Sequence, residues 1–350
     1  SSKGSQDLHL IHNLIMVEHI SGQHNYADKS DKWHHTMARY LGLSLDTSFL
    51  FGILPGVCRE AIGRYDHMYI KRECFNSKLV YAWSKHHADK INASKFSKNV
   101  AYYGTAPFMW ELGRVASRED IKSEGSLFFL PRDDQVTIRE DEFESVQQVI
   151  DSAPRPITFL LPWRNCDIWK HWNKLDLGDG NFIQMSDAIT RQETLSYNIL
   201  KHDHIYIPWP GTDVYYAGFL DKTVHVYDKL EQYRTKTRDE MDREKNLVIH
   251  YLKWGYDWLT DDQKTFFEWT RKWHDIDKPI RNYLTINMLG LDALKSPEEL
   301  YFDLMDHGFL QDHQKFVYNP EYQRSYEWLQ SNLEKIRGQT SHDHPHISLL

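Results

Sequence analysis

At 350 residues the chain is long for a single hydrophobic core and suits two domains of ordinary size. Apolar residues at 41% and charged residues at 26% match globular averages and exclude wholesale disorder. The formal charge of −8 argues against a general nucleic-acid binder, which needs a basic face.

Three cysteines at wide spacing, Cys58, Cys74 and Cys166, form neither a disulfide framework nor a zinc pattern and suggest a reducing compartment. No stretch approaches the ~20 apolar residues of a membrane helix. The opening Ser1-Ser2-Lys3-Gly4-Ser5 has no hydrophobic signal region. The expected location is cytoplasmic, with room for peripheral membrane contact. The many Trp, Tyr and Phe residues fit base or sugar stacking, but large cores and interfaces use the same side chains.

Residues 8–117 open with an apolar run at 8–17, followed by strand-like runs at 48–54, 78–84 and 99–103 and a turn at Gly104-Thr105-Ala106-Pro107. The loop after the first run, Glu18-His19-Ile20-Ser21-Gly22-Gln23-His24, offers Glu18, His19 and His24 as groups able to deprotonate a hydroxyl within hydrogen-bond reach.

Residues 122–235 carry the clearest pattern. Apolar strands are expected at 126–130, 157–161, 181–185, 205–207 and 224–227, with amphipathic helices at 139–150, 188–200 and 213–220. Continuous apolar strands alternating with helices indicate a parallel sheet covered on both faces, with ligands beyond the carboxyl ends of its strands. The strand-end loops there hold Arg132-Asp133-Asp134, Trp163-Arg164, Ser186-Asp187 with Arg191 a turn later, and Trp209-Pro210-Gly211-Thr212-Asp213. Together they suit a sugar nucleotide: two aromatic platforms, arginines, and a helix start whose N–H groups and dipole favour a phosphate. Gly211-Thr212-Asp213 reads equally as an ordinary cap with Thr212 at the N-cap, Ser186-Asp187 as another cap, and Arg132-Asp133-Asp134 as a salt-bridged turn.

Residues 236–350 read as helical and Trp-rich, with a charged run at 238–245 and a tail beyond Gly338 expected to be disordered. His202-Asp203-His204 looks like a metal pair without a specified third ligand. Dinucleotide, P-loop, zincin and hydrolase-elbow motifs are absent.

Four segments resemble the two-Rossmann-domain (GT-B) glycosyltransferases, in particular bacterial enzymes that build capsule or lipopolysaccharide sugars. They are Tyr81-Ala82-Trp83-Ser84-Lys85-His86-His87, Tyr103-Gly104-Thr105-Ala106-Pro107-Phe108, the strand entry Glu124-Gly125-Ser126-Leu127-Phe128-Phe129-Leu130-Pro131, and the helix Gly211-Thr212-Asp213-Val214-Tyr215-Tyr216-Ala217-Gly218 leading to Lys222-Thr223-Val224. The likeness covers residues 78–228. Arg132-Asp133-Asp134 stands where a Ser/His-rich loop is expected, Asp221 where Gly is usual, and Thr223 where Pro is usual.

The resemblance implies an α/β fold of two Rossmann-like domains, GT-B-like, with a mostly helical C-terminal extension. Residues 8–117 would form the acceptor side, 122–235 the nucleotide-donor side and 236–338 an extension packing on both, with 339–350 disordered. It implies transfer of a sugar from a nucleotide sugar to a carbohydrate or other hydroxyl acceptor, in polysaccharide or glycoconjugate synthesis, with neither cofactor nor metal and no nucleic-acid partner. Gly211 and Thr212 would hold the donor phosphate with Arg132 or Arg164, near Asp133, Ser186, Asp187 and Asp213. Trp163 or Trp209 would meet the sugar or base, and Glu18, His19 or His24 would act as base. Two other readings stay open: a metal-dependent hydrolase using His202 and His204, and a non-catalytic binding module on the same fold.

Overall fold

Two all-parallel sheets organise the chain in a computed structural model that describes residues 32–44, 49, 51–54, 56, 61–63, 78–94, 99–130, 143–161, 175–184, 188–227 and 259–350. The three cysteines, the expected first strand at 8–17 and the charged run at 238–245 lie outside the described residues.

Helix α1 (Lys32–Tyr40) precedes β1 (Phe51–Ile53), β2 (Leu79–Ala82), α2 (Lys85–Ala93) and β3 (Val100–Tyr103), and the strands pair in the order β1-β2-β3. The registers Phe51↔Leu79 and Val80↔Ala101 are parallel. Each strand lies inside an expected apolar run. Helix α3 (Pro107–Arg118) follows, with proline in its first turn, where a missing N–H costs nothing.

The second sheet contains β4 (Ser126–Phe129), β5 (Ile157–Leu161), β6 (Asn181–Gln184), β7 (His204–Ile207) and β8 (Thr223–Val226). The helices among them are α4 (Phe143–Ser152), α5 (Ala188–Lys201) and α6 (Thr212–Phe219). Its spatial order is β6-β5-β4-β7-β8. Numbered within the sheet this is 3-2-1-4-5, the doubly wound arrangement whose direction of winding reverses between its first and fourth strands. All five strands and all three helices lie within a few residues of expectation.

Alternation along the strands sends Leu127, Leu160 and Ile205 into the larger core and Phe128, Phe159 and Tyr206 into a smaller one under Val146 and Ile150 of α4. On that second face the registered residues form an aromatic ladder: Phe182, Phe159, Phe128, Tyr206 and His225, one from each strand. Phe128 and Tyr206 stack at 4.2 Å, and Tyr206 and His225 at 4.3 Å.

Past residue 259 come α7 (Asp261–Arg271), α8 (Lys278–Met288), α9 (Pro297–Asp306) and α10 (Pro320–Arg337), with short 3-10 turns at Trp273–Asp275, Leu291–Ala293 and Pro345–Leu349. Capping boxes at Thr260/Gln263 and Ser296/Glu299 start α7 and α9. Residues 339–350 correct the expectation of disorder. Ser341 N–H donates to Pro279 O, Gly63 N–H donates to Leu349 O, and His344 stacks on Trp269 at 4.3 Å. No helix among the described residues is long and apolar enough to cross a membrane.

Residues 119–124, between α3 and β4, are mostly exposed, where the sequence suggests a boundary. The apolar core nevertheless continues across it: Phe51, Tyr81 and Trp83 belong to the same buried cluster as Leu127, Ile205 and Val224. Helix α3 bridges the two halves and is buried from Pro107 to Val115. Within it the Glu111 carboxylate, fully buried, accepts from Arg114 Nε at 3.0 Å and Tyr322 Oη at 3.0 Å and faces Arg39 at 3.6 Å. Arg114 also donates to Glu193 of α5 and Glu321 of α10. Removing one partner of a buried charge pair strands the other. Glu111→Ala is expected to destabilise the protein by about 3–5 kcal/mol in urea unfolding, with part of the loss recovered in Glu111→Gln.

Candidate functional site

Between β4 and β7 the crossovers depart to opposite sides of the sheet, which opens a crevice at the carboxyl ends of these two strands. Strand β7 runs directly into it. The chain turns through Pro208, Trp209 and Pro210 and enters α6, a helix long enough to carry an appreciable end dipole.

The N-cap of α6 is Gly211, at φ −88° and ψ −152°, and it supplies no side-chain cap. Thr212 is already helical. The reading of Thr212 as the capping residue is therefore corrected: its hydroxyl sits one position too late for that role. Among the described residues a Cβ on Gly211 would meet only Trp209 Cδ1, at 3.5 Å, an ordinary van der Waals contact. Asp213 lies in the first turn, and its charge works against an incoming anion.

The first sheet closes the other side of this mouth. Gly56, just past β1, lies so near Thr212 that a Cβ there would sit 2.6 Å from Thr212 Oγ1 and 3.9 Å from Trp83 Cζ3. Trp83 directly follows β2, is 2% exposed and packs edge-on against Trp33 at 5.1 Å. Helix α7 spans the same gap. Its Asp262 packs on Gly63 of the first half, and its Phe267 lies 5.1 Å from the Trp209 ring. The contact of Gly56 with Thr212 brings the segments after β1 and β7 directly together. The carboxyl ends of the two sheets thus share one cleft.

The wall after β2 is rich in neutral nitrogen bases. Ser84 caps α2, accepting from His87 N–H at 3.4 Å, and its hydroxyl lies 3.2 Å from His86 Nε2. Burial, then the charge of Lys90, holds the His86 ring down at about 3. Burial, then His86 and Lys90, does the same to His87. Lys90 donates to Ala61 O at 2.6 Å, and burial lowers its ammonium to about 8 despite Asp262 nearby.

Of the sequence-derived candidates, Trp209, Gly211, Thr212 and Asp213 come together at this mouth. Glu18, His19, His24, Arg132, Asp133, Trp163, Arg164, Ser186 and Asp187 lie outside the described residues. The His202/His204 metal pair does not form. His202 precedes β7 and is buried, with Nδ1 2.7 Å from Asn198 O and Nε2 2.9 Å from Thr158 Oγ1, so neither nitrogen is available to a metal. His204 instead meets His225 at 3.2 Å. Among the described residues no three His, Cys, Asp or Glu side chains converge as metal ligands. Gly56 escaped notice in the sequence, although the dipeptide Pro55-Gly56 immediately after a strand-like run is a turn signal.

No protein-family model and no curated protein matches the chain. Among solved structures it is similar to the wall teichoic acid polymerase TagF, at 11% identity and a TM-score of 0.27, over 78% of this chain and 61% of that one. The chain therefore spans about three fifths of the TagF chain, and a likeness this distant argues nothing by itself about chemistry.

The buried His87 gives a pH test. Its ring takes up a proton near 6.5 in the unfolded chain and near 3 in the folded one, so the unfolded state binds more protons between those values. Its contribution is intact above pH 6.5 and is lost as the pH falls from 6.5 towards 3, at up to about 1.4 kcal/mol per pH unit. In urea unfolding at pH 7, 5.5 and 4.5, His87→Leu is expected to flatten the fall in stability by about one proton.

Proposed function

We propose that the chain is a glycosyltransferase that moves a sugar from a nucleotide-activated donor to a hydroxyl acceptor, with the donor phosphates at the N-terminus of α6. One observation carries this reading: a helix capped by glycine alone opens at the winding reversal of a 3-2-1-4-5 parallel sheet and faces the carboxyl end of a second parallel sheet. Parallel sheets gather ligands at such reversals, and the N–H groups and dipole of a helix start favour a phosphate.

In this reading Gly211 lets the pyrophosphate approach the backbone, and the first-turn N–H groups and dipole stabilise charge on the departing nucleotide without a metal. Arg132 or Arg164 adds fixed positive charge against Asp213. Trp209, braced on Phe267, offers a ring to the base or sugar. The acceptor comes from the first-sheet side, where Glu18, His19 or His24 supplies the base if the reaction inverts. The four resembling segments support the same assignment. Synthesis of a polysaccharide or glycoconjugate in the cytoplasm, with peripheral membrane contact, is the setting that fits it.

The experiment is a thermal-shift panel of UDP-, GDP-, CMP- and TDP-sugars on the wild type and Gly211→Val. At least one donor is expected to raise the melting temperature of the wild type, by about 2.7 kcal/mol of added stability at a hundred times its dissociation constant. Among the described residues position 211 has space for a side chain, and its φ is ordinary, so Gly211→Val is expected to fold normally and lose that shift. Unchanged nucleotide stabilisation in the variant rejects the phosphate role, and no response to any donor rejects the function.

A further inference from the structure

Residues 339–350 cross from the C-terminal helices to the first half of the chain. Asn282 Nδ2 of α8 donates to Gln339 O at 3.0 Å, and Ser341 N–H donates to Pro279 O at 3.0 Å. Past Ser341, among the described residues, the next backbone hydrogen bond to another part of the chain is at the far end. There Gly63 N–H donates to Leu349 O at 2.6 Å. Between these ends the segment lies on Trp269 of α7: the His344 ring stacks flat at 4.3 Å and the His346 ring meets the indole edge-on at 5.2 Å. It is also folded on itself. His344 N–H donates to His342 O, Ile347 N–H to His344 O, and His346 N–H to His344 Nδ1, so the segment moves as one piece.

The docking is shallow. None of residues 339–350 is fully buried, and Ile347, Leu349 and Leu350 are only partly covered by the main core. A cavity of about 490 Å³ opens beside His346, between it and Lys264, Glu268, Trp269, Lys272 and Asp275. Atoms that face such a void lack packing partners on one side. His346 Nδ1 is buried without a hydrogen-bond partner, so docking strips its water and gives nothing in return. Segments with few buried apolar contacts open locally, well below the free energy of global unfolding. The helix beneath is different in kind: α7 buries Phe266, Phe267 and Thr270 and starts at a capping box.

We propose that residues 339–350 are a releasable strap across the α7 side of the cleft. Docked, the strap ties Gly63 to α7 where Asp262 packs on Gly63, and α7 in turn braces Trp209 through Phe267. Released, it frees Gly63 and the first turn of α7, while the buried face of α7 and both sheets stay folded. The cleft then opens on the side that α7 closes. The strap does not rest on the glycosyltransferase reading.

Native-state hydrogen exchange of the full chain in low urea tests this. A local opening exposes little surface and depends little on urea, whereas global unfolding carries the full slope. The Gly63 and Ser341 amides are expected to exchange through a urea-insensitive opening, and the Leu127 and Ile205 amides with the full slope. In His344→Ala, changed at a half-buried position, the lost stack should speed exchange at Gly63 and Ser341 by about three- to tenfold. The Lys264 amide in the first turn of α7 should speed up with them, and Leu127 and Ile205 should not change. His346→Phe keeps an edge-on ring and removes the stranded nitrogen, so Gly63 should exchange severalfold more slowly. A full urea slope at Gly63 in the wild type means that the strap leaves only when the whole molecule unfolds, which overturns the proposal without any variant. Gly63 exchange that is the same in both variants as in the wild type, or a Lys264 amide that ignores His344→Ala, overturns it as well.

Discussion

The buried carboxylate of Glu111 sets the frame in which everything else is placed. Burying an isolated carboxylate costs several kcal/mol, so its partners are structural necessities. Those partners come from α1, α3 and α10, and Arg114 passes the network on to Glu193 of α5. Apolar surfaces can slide past one another at small cost. Directional bonds to two oxygens cannot, so one side chain fixes the register of helices from the first half, the second sheet and the C-terminal helices. Gly113 serves the same packing: a Cβ there would sit 2.5 Å from Ser325 Oγ and 2.8 Å from Ser325 O, inside α10. Glycine inside a helix costs about 1 kcal/mol relative to alanine, which the close approach of α3 and α10 offsets.

That register determines what the cleft looks like. With α3 held, the carboxyl ends of the first sheet pack closely on the Thr212 side chain of α6 and on the backbone that follows α8. Gly56 lies against Thr212, and Gly290, at φ +61°, lies where a Cβ would be 2.3 Å from both Gly104 O and Trp83 O. Ala106 N–H donates to Leu289 O, and Tyr81 Oη donates to Thr105 O. Loops held by backbone contacts lose little freedom when a ligand arrives, so the mouth of α6 is preorganised on its first-sheet side.

How much of this could be read from the chain depended on whether the signal was local. The strands and helices of 122–235 were legible because a sheet covered on both faces needs continuous apolar runs, and its helices need one apolar stripe. The cap of α6 was misplaced by one residue because Gly and Thr are both good caps, and only the backbone angles distinguish Gly211 from Thr212. Residues 339–350 looked disordered because they have no apolar periodicity; Trp269, Pro279 and Gly63, which hold them, are distant in sequence. The spacing of His202 and His204 suggested a metal pair, but whether an imidazole nitrogen is already used depends on Thr158 and His225, and no spacing rule sees those.

The aromatic content has a similar answer. Part of what could have been a stacking surface for ligands is an internal ladder, one ring on each strand of the second sheet, in which registered neighbours stack across the hydrogen-bonded pairs. The ladder ends at His225 on the edge strand, half-buried with the His274 ring 6.1 Å away. An aromatic hydrocarbon there would leave a flat apolar edge, a template for pairing with another chain. An imidazole keeps the stack on Tyr206 and meets His204 through Nε2, while His274 occupies the Val224 N–H that a foreign strand would need. The requirement that protects this edge therefore also gathers three imidazoles, His204, His225 and His274, at the termination of the sheet.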